Sequence, residues 1–303
     1  MLKFPAFAKI NWTLRVLGKR ADGFHEICTV FQTVSLADRL TFESASELVL
    51  TCDAQDVPTD ERNLVLRAAN ALRDRFAIEK GARIHLEKRI PSPGGLGGGS
   101  SDAAVALVSL AHFWEIKTNK SELSEIGAKL GADVPFFLTG GTALGTGLGT
   151  EVEFLPDVAK TLLLIVTPDE NVPTGEAYNA LNAPLLTNES AKTILEICRF
   201  EAENADFLQT GLHNDFEKTI FRLRPEIARV KNELLQTGAS AALLSGSGAS
   251  VFAIFDNVES RQRAAALFNR NEPSWRVFEC ETVSRNEYRK QLEPCWNLLE
   301  DLS

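Results

Sequence analysis

From Phe7 to Val16 apolar and polar residues alternate, with Ala8, Ile10, Trp12, Leu14 and Val16 on one side and Lys9, Asn11, Thr13 and Arg15 on the other. That period of two predicts a half-buried strand on which Lys9 and Asn11 project together, a parity that equally describes any solvent face. Shorter strand-like runs follow at 27–34, 40–43, 48–52 and 83–88, and the Gly/Asp-rich GKRADGFH connects the first two. Between the last two of these runs the period changes. Over 61–76, Val65, Ala69, Leu72 and Phe76 recur at helical spacing beside Leu64 and Ala68, with Arg67, Arg73 and Arg75 outside the stripe, so an amphipathic helix is predicted. The stretch PSPGGLGGGSSDAAVALVSLAHFW passes from a Gly/Pro loop into a segment apolar on nearly every side. It reads as a helix buried all round, starting at Gly99 or Ser100, with Ser100, Ser101 and Asp102 where capping residues belong.

A second short helix is predicted over 121–130, closed by Gly131. Pro135 biases Val134 toward extended geometry, so Asp133 is expected at a helix-to-strand junction. Past Pro156 the pattern restarts with strand TLLLIVTP, helical stretches between Gly175 and Leu235, strand SVFAIF, a helix over 259–269 and a last strand near Val277. A soft boundary at 155–165 is predicted, dividing the chain into residues 1–158 and 159–303. The uncharged run 234–255 is long enough to cross a bilayer, yet Gln236, four serines and its glycines make it a buried loop and strand.

Composition narrows the function classes. The 303 residues are 44% apolar and 24% charged, ordinary for a soluble globular chain, and a net charge of −9 disfavours nucleic acid and anionic membranes as partners. The five cysteines (28, 52, 198, 280, 295) contain no C-x-x-C pair, and the N-terminus has no uninterrupted apolar stretch. Free thiols and a cytoplasmic location are expected. Glycine is concentrated: five of the 20 fall within Gly94–Gly99.

Such a loop lets main-chain amides converge on an anion, and a helix starting there adds its own unbonded amides and the positive end of its dipole. A bland tight turn is the alternative, but a turn needs only one or two glycines. The dinucleotide fingerprint fails because Ser100 stands at the third glycine, and the Walker pattern fails because Ser100 stands where lysine is required. A phosphate loop without that lysine must borrow positive charge, and Lys88, Arg89 and Lys9 are the candidates. Phosphoryl transfer needs little more than a held phosphate, a placed hydroxyl, a base and a cation. Asp133 in GADVPFF suits the base, with local turn hydrogen bonding as its alternative role.

Several segments in one order resemble the GHMP kinases, which include galacto-, homoserine and mevalonate kinases. They are AKINWTLRVLGKRADGFHEI, DERNLVLRAA, PSPGGLGGGSSDAA, LGADVPFFLTGGTALGTGLGTE and LLSGSGASVFAIF. The resemblance implies a two-domain α+β fold with the active site in the interdomain cleft and ATP as phosphoryl donor, with Mg²⁺. Within the family, AKIN, RADGFH and GADVPFF are most similar to members that phosphorylate the 2-hydroxyl of a cytidine diphosphate-linked methylerythritol for isoprenoid synthesis. Homoserine or mevalonate as acceptor, or a silent ligand sensor, are the competing readings.

The resemblance also carries residue roles. It implies Asp133 as base and Lys9 as its charged neighbour. Gly94, Gly95, Leu96, Gly97, Gly98, Gly99, Ser100 and Ser101 would wrap the triphosphate, supported by Gly246, Ser247 and Gly248. Val57, Asn63, Leu64 and Lys88 would line the adenosine pocket, and Asn11, Phe24, His25, Thr174 and Tyr178 would hold the acceptor substrate. Phe24 replaces the usual Tyr, and Pro93 a common Gly. No carboxylate cluster marks a metal site, which leaves Ser100 or Ser101 as guesses, and a monomer or weak homodimer is expected.

Overall fold

The computed structural model describes residues 1–186, 195, 196, 199, 200, 202 and 211–299. Cys198 and most of the helical expectation over 187–210 therefore lie outside the described residues. Strands β1 (Leu2–Lys19) and β2 (His25–Glu43) form a long antiparallel hairpin, so the runs predicted at 27–34 and 40–43 are one strand. β4 (Ala82–Glu87) and then β3 (Leu48–Cys52) extend the β2 edge, while β5 (Thr142–Thr146) pairs with β2 further along and with β6 (Glu151–Phe154). A two-residue strand, β8 (His213–Asn214), joins the same sheet from the later half of the chain by pairing parallel with β1 at Thr13 and Leu14. The second sheet has the order β11 (Arg276–Glu281), β7 (Leu162–Thr167), β10 (Val251–Phe255), β9 (Ala241–Leu244).

Helices α1 (Leu64–Phe76) and α2 (Gly98–Phe113) cover the first sheet, and α3 (Lys120–Leu130) packs beside them. α2 is buried from Ser101 to Ala111, as its continuous apolar sequence predicts. α5 (Thr174–Leu181), α6 (Glu217–Leu223), α7 (Pro225–Gln236) and α8 (Val258–Asn271) belong to the second sheet, whose core includes Ile220, Ile227, Val230 and Phe268. A third core joins the two layers: Ala8, Ile10 and Trp12 of β1 meet Leu163, Ile165 and Phe252, with the Trp12 and Phe252 rings edge to face at 5.5 Å. The chain then returns, for α9 (Arg285–Gln291) and the turn Cys295–Leu299 sit in the first core, where Tyr288 donates to the Phe137 carbonyl at 2.5 Å.

Three sequence expectations change. β1 is not half-buried around its polar face, since Lys9 and Asn11 are only 4% and 1% exposed, with Gly246 of a later turn set against both. Helix α1 starts at Leu64, because Asn63 caps it by accepting from Val65 N at 2.9 Å. The residues after Asp133 form a helical turn, α4 (Val134–Phe137), not a strand. A proline in a first turn costs no hydrogen bond, and this overrides the bias it places on the preceding residue.

Candidate active site

The glycine loop is shaped from both sides. Lys9 N of β1 donates to Leu96 O at 2.9 Å; Ser245 Oγ donates to Gly95 O at 3.0 Å and Ser250 N to Gly94 O at 3.2 Å. With these carbonyls held by the body, the loop's remaining donors are left for the opposite side. Gly95 and Gly97 have φ of +71° and +70°, and a Cβ on Gly95 would stand 2.1 Å from Ser245 O. Only glycine fits that approach. Gly97 takes the cap position of α2 without any side-chain cap, so Ser100, Ser101 and Asp102 do not cap it, contrary to the sequence expectation. The first intrahelical bond is Ser101 N to Gly97 O at 2.9 Å, which leaves the first-turn amides without intrahelical acceptors at the positive end of a 16-residue helix.

Asp133 precedes α4 but makes no capping bond; its carboxylate turns toward β1 instead. Lys9 Nζ lies 3.4 Å from Asp133 Oδ2 and donates to Asn11 Oδ1 at 2.9 Å. Asn11 Oδ1 also accepts from Gly246 N at 3.1 Å, and its amide donates to Thr29 Oγ1 at 2.7 Å. Every polar atom of Asn11 is thus engaged, and Lys9 is aimed by a rigid partner rather than left to choose a rotamer. The ring of Phe31 lies under the ammonium at 5.5 Å, which adds a cation–π contact.

These groups share one cavity of about 880 Å³, lined by β1, the glycine loop, the α3–α4 connection, α5 and the turn at 246–248. At its other end His25 and Tyr178 stack at 4.8 Å, and Tyr178 meets Phe216 edge-on at 4.9 Å. Burial, with the charge of Asp133 as a smaller cause, pushes the Tyr178 phenol up to about 12, so it stays neutral. Burial, then Lys19, lowers His25 below 6.5, so its ring is neutral at pH 7 with one donor and one acceptor nitrogen. Phe24 is 62% exposed beside it, and Thr174 Oγ1 approaches Ser247 Oγ at 3.4 Å.

Of the residues singled out by sequence, Lys9, Asn11, Phe24, His25, Leu64, Gly94–Ser100, Asp133, Thr174, Tyr178 and Gly246–Gly248 line this cavity. Val57, Asn63, Lys88 and Ser101 do not. Val57 packs against the first core, and Asn63 spends its side chain on the α1 cap and on Pro58 O at 2.7 Å. Lys88 is buried between Asp38 at 2.5 Å and Asp102 at 2.7 Å, so its charge is spent inside the fold. Asp38 Oδ1 in turn accepts from the amides of Arg89 and Ile90, fixing the chain that leads into the glycine loop. Sequence reasoning missed Asp38 and gave Asp102 only a capping role, since no local pattern joins either to Lys88. It also missed Lys129, Leu148 and Thr150, which line the cavity from elements whose relative placement is tertiary.

Residues 63–141 match the GHMP kinases N terminal domain and 186–273 the GHMP kinases C terminal domain. The chain belongs to the GHMP kinase family. A relative from Caldanaerobacter subterraneus subsp. tengcongensis, 4-diphosphocytidyl-2-C-methyl-D-erythritol kinase, is 39% identical over 273 residues, covering 87% of this chain and 91% of its own. The kinase of that name from Solibacter usitatus is 41% identical over 288 residues, 94% of this chain and 89% of its own. A solved structure, the crystal structure of 4-(cytidine 5'-diphospho)-2C-methyl-D-erythritol kinase, superposes with a TM-score of 0.75 at 33% identity, covering 93% of this chain and 99% of that one. Within the GHMP kinases the chain therefore groups with the 4-diphosphocytidyl-2-C-methyl-D-erythritol kinases. No helix among the described residues is long and apolar enough to cross a membrane.

Proposed function

We propose that this kinase transfers the γ-phosphoryl group of ATP to the 2-hydroxyl of 4-diphosphocytidyl-2-C-methyl-D-erythritol, with the transfer centred on Asp133 and Lys9. The observation that carries the reading is the Lys9–Asp133 pair, 3.4 Å apart, in one cavity with the open end of α2 and the His25–Tyr178 stack. The triphosphate lies on the amides of Gly97–Ser100, where backbone donors and the helix dipole stabilise anionic oxygens. The adenosine end extends past Leu64. Phe24 stacks on the cytosine, and a ring nitrogen of neutral His25 bonds its edge.

Asp133 takes the proton of the acceptor hydroxyl as that oxygen bonds to the γ-phosphorus. The bond from phosphorus to the β,γ-bridging oxygen breaks and ADP departs with the electron pair. Lys9 keeps Asp133 ionised and opposes the charge spread over the equatorial oxygens. Among the described residues no group of three or more His, Cys, Asp or Glu could hold a metal ion. Ser101 Oγ and Asp102 Oδ1 are buried without a hydrogen-bond partner among the described residues, but neither residue lines the cavity, so they do not fit a metal brought by the nucleotide. Ser100 does line it and fits as the protein ligand for Mg²⁺, whose other ligands would be phosphate oxygens and water. Bound there, Mg²⁺ would offset part of the phosphate charge.

The two-body division near residue 158 accompanies this reading, with the tail from 285 onward assigned to the first body. The test is ADP release with the diphosphocytidyl substrate against homoserine and mevalonate. ADP formed with either of the latter, and not with the former, would reassign the acceptor.

A further inference from the structure

We infer that Lys129 supplies the cation that the phosphate loop lacks, by pairing with the phosphoryl oxygens of the bound nucleotide; the inference rests on the nucleotide reading of that loop. A loop with Ser100 in place of a lysine holds phosphate through neutral amides alone, and a triphosphate needs compensating charge in a chain whose net charge is −9. The three cations nearest in sequence or pattern are accounted for otherwise. Lys88 is neutralised by Asp38 and Asp102, Arg89 is exposed and outside the cavity, and Lys9 is held by Asn11 and Asp133.

Among the described residues that line the cavity, the lysines are Lys9 and Lys129, and Asp133 is the one carboxylate. Lys9 and Asp133 offset each other, so Lys129 sets the net charge of the lining. It sits in the last turn of α3, is exposed, and has no ion-pair or hydrogen-bond partner among the described residues. Its place is beside the loop. α3 ends at Gly131, and a Cβ built there would lie 3.4 Å from Ser100 Oγ in the first turn of α2. A flexible four-carbon stem anchored two residues earlier reaches an anion seated on that turn without any backbone movement. The α3 C-terminus already favours a cation at this position, so the lysine is not displaced by its own helix.

Both substrates carry a diphosphate, and the test separates them. Calorimetric titration of the whole enzyme with Mg²⁺ and the β,γ-imido analogue of ATP is compared for wild type, Lys129→Met, Lys129→Arg and Lys129→Glu. Lys129→Met is expected to weaken analogue binding by about tenfold and flatten its salt dependence, Lys129→Glu to weaken it further, and Lys129→Arg to stay within about twofold. Affinity for the diphosphocytidyl substrate and the melting temperature should not move, since the side chain is exposed. Analogue affinity unchanged in Lys129→Met, or a loss confined to the diphosphocytidyl substrate, overturns the inference while leaving the kinase reading intact. A wild-type enzyme that does not bind the analogue overturns the nucleotide reading and the inference with it.

Discussion

The ammonium of Lys9 stands 3.4 Å from the carboxylate of Asp133, one carried on the buried first strand of the first sheet and the other at the start of a single helical turn. Asn11, two residues along the same strand and fixed by Gly246 N and Thr29 Oγ1, aims the lysine, and the absence of a capping bond frees the aspartate. Asp133→Ala and Lys9→Ala should each lower kcat by about 100-fold or more, the usual worth of a general base or a preorganised charge, with the circular dichroism spectrum unchanged. A folded Asp133→Ala enzyme turning over at near-normal rate would remove Asp133 from the chemistry.

Gly95→Ala should damage the nucleotide side selectively. The new methyl group would meet Ser245 O at 2.1 Å in a backbone at φ +71°, so the loop must shift. A penalty on the order of 1–3 kcal/mol is expected, seen as a lower melting temperature and a KM for ATP raised roughly tenfold. Unchanged KM for ATP would mean the loop does not hold the nucleotide.

Phe24 presents a largely exposed ring at the far end of the cavity. Phe24→Ala should raise KM for the diphosphocytidyl substrate by about tenfold, since stacking a base on an aromatic ring is worth roughly 1–3 kcal/mol, with KM for ATP unchanged. Phe24→Tyr tests whether a phenolic hydroxyl adds to that contact; equal damage to both substrates in the alanine variant would reduce the ring to a role in folding.

The pH dependence of that same KM should follow His25. Burial lowers its pKa below 6.5, so its ring is neutral at pH 7 and loses its acceptor nitrogen only on further acidification. KM for the diphosphocytidyl substrate is expected to be flat above the ordinary histidine value of 6.5 and to rise only once the pH falls through the lowered pKa of His25, and His25→Gln should flatten the profile.

Asp102 links pH to stability. Burial, only partly offset by Lys88, raises its carboxyl from 3.8 to about 7, so the folded chain keeps a proton that the unfolded chain has lost across that window. Stability contributed by the neutral acid is fully present below 3.8 and is lost as pH climbs through about 7. Between pH 5 and 8 the melting temperature of wild type should therefore fall, on the order of 5 °C, relative to Asp102→Asn, which keeps an oxygen for Lys88 without the charge. Parallel melting curves for the two proteins would place the proton elsewhere.

Local pattern was enough for α1, α2, α3 and the strand cores, because hydrophobic periodicity records which face of an element is covered. It also marked the glycine loop, since a run of residues without Cβ is itself the signal that backbone must come close to something. It failed where coverage comes from a distant partner. The polar face of β1 looks like a solvent face until the 246–248 turn closes over Lys9 and Asn11, and Lys88 looks like a pocket cation until Asp38 and Asp102 enclose it.

The chain alone determined which residues could carry chemistry: a glycine-rich loop, an aspartate at a junction, a basic residue near the start. Tertiary structure decided which charges are free to act. Whether a lysine meets a ligand or a buried carboxylate depends on which elements pack together, and charge pairing depends on distance in space, which residue order does not encode. Lys88 and Lys129 are alike as letters in the sequence, yet packing neutralises the first and leaves the second facing the cleft.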